Sequence, residues 1–483
     1  MTVRKNILPN LFLHVLLLLT SLYMLIQNIA QPGAVQLLFI ASLCTMGWYA
    51  ARHVPFPSLF HWFMLAYVAL FYFYPVLLPA LDISFKASDR VVAGYCFMAA
   101  GGVHLFVITY ELMRKTKSLK DPSQQDAFRI NETKLRLAVF GLVGVNVMGA
   151  LLMIVDAGSI SMSTVMDIMT TSRADRKIES GALSLLGAYC LIAGGLAFVL
   201  LPVYARKSLS QTLMLAALLL VLDAFIMIAF RARTHLILHL IAVSVGFMYL
   251  RHRVVLVRSQ GRKENKSGLT DINSRRILVR MAVFIFLIGV FGMYMRLVRG
   301  HIGTAKDLSI LKQDLSTAVE FALAFDSAVG GDLGYTPTVF KVIDFVPQDY
   351  DYLKGQSYYR IFFTGVPRFV WSDKPDNTGI IVGRWIFPGT IVQSNPPGVM
   401  GDLYINFGFL GILGFIAFGI IFAKIDNSSR LAYYILVATS FGLTFHLARG
   451  AFTNPVLQFC ILYLAALLLE RFLLVRNPNT SKG

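Results

Sequence analysis

Arginine is the residue whose chemistry and placement stand out in this chain. Its planar fork donates two parallel hydrogen bonds and matches a phosphate group better than an ammonium does. Arg231 and Arg233 share one tight turn between two apolar runs. Arg296 and Arg299 stand three residues apart on one helix face at the end of another run. Arg360, Arg368 and Arg384 lie in one long loop, Arg173 and Arg176 in a shorter one, and Arg449 ends an apolar run near the C-terminus. Any one of them has a simpler role available, snorkelling to headgroups or pairing with a nearby acid. As a set on one membrane face they suit a lipid-linked diphosphate.

Fewer polar groups stand elsewhere. Asp223 lies within an apolar run, where an ionisable side chain is a functional candidate or a structural hydrogen bond to a neighbouring helix. His235 and His239 are four apart on one helix face, but no HExxH and no nearby carboxylate accompany them. His301 is the sole histidine of the long loop and is either a surface residue or an orienting or catalytic one. The loop has no cysteine, and Cys44, Cys96, Cys190 and Cys460 all lie inside apolar runs. We therefore expect no metal site, no disulfide framework and no cofactor.

The elements that must position these groups are membrane spans. Hydrophobic residues make up 56% of the 483 residues and charged residues only 14%. Roughly 20 apolar residues cross a hydrocarbon core as a helix, and such runs recur throughout. They predict about twelve spans, at 8–28, 34–50, 58–78, 91–112, 135–155, 183–205, 212–230, 234–250, 277–298, 402–423, 431–448 and 455–474. Arg4 and Lys5 before the first run imitate a signal peptide, which we read as a retained span. The expected fold is an all-α polytopic bundle. It divides into 1–298, a loop at 299–401 and a C-terminal set of spans at 402–483. Within the loop, Ser309–Phe325 has the apolar spacing of a surface helix.

Orientation follows from the basic residues. The segments 114–136 and 251–280 carry Lys115, Lys117, Lys120, Arg258, Arg262, Lys263, Arg275 and Arg276. Placing them in the cytoplasm puts the whole net charge of +18 on the inner side. Both termini are then cytoplasmic and the 299–401 loop faces outward. The basic pI needs no nucleic acid to explain it, and none is expected as a partner.

The long loop and the span after it carry a family pattern. Val366-Pro367-Arg368, Trp371, Lys374-Pro375, Pro397-Gly398, Gly401-Asp402-Leu403-Tyr404, Phe407-Gly408, Gly411 and Gly414 resemble the Wzy-type O-antigen and capsule oligosaccharide repeat-unit polymerases. The Arg231-Ala232-Arg233-Thr234 turn and the late outer loop agree with that pattern, and Asp402 stands where the family places an acid at the entry to the post-loop span. The specific resemblance covers roughly a quarter of the chain.

The resemblance implies a GT-C-like glycosyltransferase of the bacterial inner membrane. Its substrates would be undecaprenyl-diphosphate-linked glycans at the periplasmic face of the bilayer, and a chain-length regulator is a candidate partner. Arg360, Arg368, Arg384, Arg296, Arg299, Arg231 and Arg233 would neutralise the leaving diphosphate. Asp402 or His301 would act as base or orient the acceptor hydroxyl, although Asp402 at a helix start is also favoured by the helix dipole. The Gly408, Gly411 and Gly414 series reads as close helix packing. An O-antigen ligase differs only in acceptor. A lipid-linked-oligosaccharide flippase would show related halves and charged groups through the depth of the bilayer.

Overall fold

A computed structural model describes residues 7–55, 58–72, 75–76, 87–114, 128–156, 182–230, 250, 254–257, 335–364, 366, 371, 373–389 and 395–475. The described chain is predominantly helical. Ten of the expected spans each hold a helix. Those at 234–250 and 277–298, and the expected helix at Ser309–Phe325, lie outside the described residues, apart from Leu250. Six described helices are long and apolar enough to cross a membrane, seven if Leu431–Arg449 is taken as one span.

The chain forms two compact units. The first holds α1 (Ile7–Gln27), α2 (Pro32–His53), α3 (Leu59–Phe71) and α4 (Asp89–Met113, with a π turn at Phe97–Gly101). To these it adds the loop segment from Tyr335 and the span Gly398–Asp426, with a 3-10 stretch at Gly408–Leu413. Its core is aromatic. Phe60, Phe63, Phe106 and Phe422 are fully or almost fully buried, and the Phe60 and Phe106 rings stack 5.6 Å apart. In lipid, where helix association is driven by packing contacts, such rings give large contact area. Asp426 fastens α3 from far away in sequence. Its carboxylate accepts the Leu59 N–H at 3.0 Å and the Phe60 N–H at 3.3 Å, satisfying donors that every helix N-terminus leaves open.

The second unit holds Glu132–Asp156, Ala182–Gly194, Leu196–Tyr204 and Leu209–Phe230. The first two meet backbone to backbone. A Cβ added at Gly149 would lie 2.7 Å from the Gly187 carbonyl oxygen, and one at Gly187 would lie 2.6 Å from that of Gly149. Small residues admit this approach, as is usual between helices in lipid.

Two details correct the sequence reading. The chain is not wholly α. Phe128–Asn131 pairs in parallel with Val254–Val257, in register from Phe128 opposite Val254 to Asn131 opposite Val257. Ile130 also bridges Leu474, and the Val475 N–H donates to the Arg129 carbonyl at 3.1 Å. Four-residue strands are too short for an alternating pattern to show, and their partners are remote in sequence. The second correction is a boundary. The post-loop helix starts at Gly398, so Asp402 lies inside it.

Candidate functional site

Asp402 is the expected catalytic residue that the structure describes most fully. Pro397 precedes the helix Gly398–Phe407, and Gly398 opens it with φ of +68°. A side chain there would lie 2.7 Å from both the Ala448 carbonyl oxygen and the Phe71 ring, so glycine lets the helix start deep in the fold. Four residues on, Asp402 is buried at 1% exposure. Among the described residues no ion pair reaches it. A bare buried carboxylate costs several kcal/mol, so the hydrogen bonds around it matter.

Those bonds come from separate segments. Asp402 Oδ2 accepts the Phe452 N–H at 2.7 Å, from the turn between two C-terminal helices. The hydroxyls of Ser357 and Thr378 lie beside the same carboxylate. Asn406, one helical turn on, donates from Nδ2 to Ser357 Oγ at 2.8 Å and to the Asp402 carbonyl at 2.8 Å. Its Oδ1 accepts the Gly355 N–H at 3.0 Å, and Thr453 Oγ1 donates to the Ser357 carbonyl at 3.0 Å. Gly355 sits at φ +88°, a turn geometry that suits glycine. The acid is thus held at the seam of the 299–401 loop and the helix that follows it by non-local contacts.

Tyr358 is the next polar group. Its ring packs on Phe452 at 4.8 Å and Phe407 at 5.8 Å. Burial, and then the Asp402 charge, push its phenol up, so it stays protonated and can act as a donor. Arg360 follows two residues later at the start of a 3-10 turn, half-buried, its carbonyl accepting Thr364 Oγ1 at 3.0 Å. One short segment therefore brings a guanidinium close in sequence to the groups that clasp Asp402.

The other arginines stand differently. Arg384 lies on the helix Thr378–Ile386, 62% exposed and 2.7 Å from Asp376 Oδ2, so a phosphate would compete with that carboxylate. Arg449 Nε donates to the Tyr335 hydroxyl at 2.6 Å. Arg231, Arg233, Arg296, Arg299, Arg368 and His301 lie outside the described residues, as do Arg173, Arg176, His235 and His239 and the side chain of Asp223. Among the described residues no group of three or more His, Cys, Asp or Glu is arranged to hold a metal.

Sequence reasoning missed Ser357, Thr378, Phe452 and Thr453 because nothing local ties them to Asp402. Asn406 was within reach of it, since four residues on a helix make one face. Lys374 was quoted only for its place in the pattern. It is buried, and its Nζ donates to the carbonyls of Thr364 and Val366, each at 2.9 Å, which ties the loop just before Arg368. The glycine series does serve close packing: a Cβ at Gly414 would lie 2.5 Å from a Leu403 methyl, and Gly408 turns the chain at φ +60°. Comparison of the chain with protein-family models, with curated proteins and with solved structures finds no match.

Proposed function

We propose that this chain is a membrane glycosyltransferase that polymerises undecaprenyl-diphosphate-linked oligosaccharide repeat units at the periplasmic face of a bacterial inner membrane. The observation that carries the reading is the buried, hydrogen-bonded Asp402 at the seam of the outer loop and the Gly398–Asp426 span. It lies in the same stretch that carries the family resemblance. Among the described residues no cation pairs with this carboxyl, which leaves it to take up a proton from an acceptor hydroxyl or to orient it. Arg360, Arg368, Arg384, Arg296, Arg299, Arg231 and Arg233 supply the positive field for the departing diphosphate, with no metal and no cofactor. His301 stands as the second candidate for the proton.

The proposed architecture is a GT-C-like bundle of about twelve spans with both termini in the cytoplasm. In its support, the strands Phe128–Asn131 and Val254–Val257 and the segment at Val475 come together, and the charge pattern puts all three on the inner side. Partners are the lipid-linked glycan, the bilayer and a chain-length regulator. One observation favours a second reading, lipid-linked-oligosaccharide transport: His14, His104 and Glu111 are buried within the helices of the first unit.

The test is a lipopolysaccharide or capsule ladder in a polymerase-null strain, complemented at matched membrane levels. Arg368→Lys keeps charge and loses the bidentate fork. We expect severe loss of long chains with Arg368→Lys and Arg368→Gln, beside a normal ladder for Lys354→Gln. A charge-assisted bond formed mainly in the transition state corresponds to about tenfold to more than a hundredfold in rate. Normal ladders from both arginine variants would remove Arg368 from the site.

A further inference from the structure

The first unit holds a line of polar side chains that the glycan site does not use. On α2, Ser42 and Tyr49 are seven residues apart, and on α4 so are His104 and Glu111, a separation of about 10 Å along each helix. They form two rungs. His104 Nε2 bonds Ser42 Oγ at 2.9 Å, and the Tyr49 hydroxyl donates to Glu111 Oε2. His14 of α1 stands between the rungs. Its Nδ1 is 2.9 Å from His104 Nδ1, its ring meets Tyr49 edge-on at 5.4 Å, and its Nε2 is buried without a partner. His14, Ser42 and His104 are each 0% exposed.

The line reaches both ends of the helices. At the end the charge pattern makes cytoplasmic, Glu111 pairs with Arg114 at 3.2 Å, and the His53 ring lies 5.4 Å from Tyr49. Toward the other end the Ser42 hydroxyl faces that of Tyr72. The Phe39 ring packs on both Tyr72 and Tyr95. The Tyr95 hydroxyl bonds Thr336 Oγ1 at 2.8 Å, at the start of an outer-loop helix. A purely structural network has no need to span the bundle, and polar groups inside a membrane bundle are rare and costly.

We propose that this line is a proton path across the membrane, running from Glu111 through the His14–His104 pair to Tyr95. In the resting pair, His14 donates its Nδ1 proton to His104 Nδ1, and His104 Nε2–H donates to Ser42 Oγ. A proton reaching His14 Nε2 from the Glu111 side makes that ring an imidazolium. The Nδ1 proton then passes to His104 Nδ1, and His104 releases its Nε2 proton to Ser42. One proton enters and one leaves; each ring then carries its proton on its other nitrogen, and the start is restored when the rings turn apart and exchange that proton through a water or hydroxyl. Three steps lack a direct hydrogen bond: Tyr49 to His14, Ser42 to Tyr72, whose hydroxyl is buried without a partner, and Tyr72 to Tyr95. The proposal requires a bridging water or a side-chain rotation to complete each of them.

The test uses the full chain in liposomes that enclose a pH-sensitive dye, with valinomycin and a potassium gradient as the driving force. The wild-type chain should carry protons faster than protein-free liposomes do. Tyr49→Phe, which removes one hydroxyl and keeps the ring, should lower the rate about tenfold, as should His104→Phe, while Lys424→Gln should not. No flux above protein-free liposomes for the wild type overturns the proposal. So does a wild-type rate retained by both Tyr49→Phe and His104→Phe. Glycan transfer plays no part in this readout, so its failure and the failure of the polymerase reading stay distinguishable.

Discussion

Two of the buried carboxylates, Glu470 and Asp402, have surroundings that differ. Glu470, in the second unit, is held by a cation: Arg430 approaches Oε1 with Nη2 at 2.8 Å and Nε at 2.8 Å, while Oε2 accepts the Ala432 N–H at 2.7 Å. The bond to Glu470 and then its charge push the Arg430 guanidinium up, which leaves it firmly charged. That arrangement neutralises the acid and clamps the start of the Leu431–Arg449 helix. Asp402, in the first unit, has among the described residues a backbone N–H, hydroxyls and an amide around it, and no cation. One site balances charge with charge and has nothing left to give a substrate. The other holds its carboxyl with dipoles alone, an arrangement that suits a group that exchanges a proton or orients a hydroxyl.

The sharpest way to break this contrast is Asp402→Asn. The amide keeps the volume and loses the charge. We expect a loss of long-chain glycan of about a hundredfold or more, with the protein still inserted and its melting little changed. Glu470→Gln should do the reverse, leaving the ladder at matched membrane levels and lowering thermal stability in detergent. A normal ladder with Asp402→Asn would make the two acids equivalent and remove Asp402 from the chemistry.

Arg430→Met should be the next largest effect. It strands Glu470, at 10% side-chain exposure, without its cation. Arg430 is half exposed, so solvent screens part of the pair. We expect a loss of about 1–3 kcal/mol of stability, read as an earlier thermal transition, again with the ladder kept.

Asn406→Ala tests whether the clasp around Asp402 positions it. Removal of its bonds to Ser357 Oγ and the Gly355 N–H should reduce glycan polymerisation about tenfold, the equivalent of one lost hydrogen bond near 1.4 kcal/mol. An unchanged ladder would show that the carboxylate needs no such support. The smallest effect should come from Arg384→Gln. Its exposed pair with Asp376 contributes no more than about 1 kcal/mol. A ladder loss as large as that of Arg368→Gln would instead show that Arg384 leaves Asp376 and contributes to the diphosphate as much as Arg368 does.

Hydropathy made the helices legible, because each span is a local run and its apolar character does not depend on neighbours. Ile7–Gln27, Glu132–Asp156 and Thr453–Leu473 fall within a few residues of their expected limits. Asp402 was legible as a residue type at a chain position, as were Arg360 and Arg384. The buried state of Asp402 was decided by tertiary structure, since its partners Ser357 and Phe452 lie 45 and 50 residues away. The His14–His104 contact joins residues 90 apart. Neither histidine is conspicuous in its own apolar run, and only the packing of α1 against α4 makes them a pair. The parallel strand pair was hidden for the same reason. Hydrogen bonds between remote segments leave no periodic trace in either one, whereas the cost of placing polar side chains in lipid marks every span residue by residue.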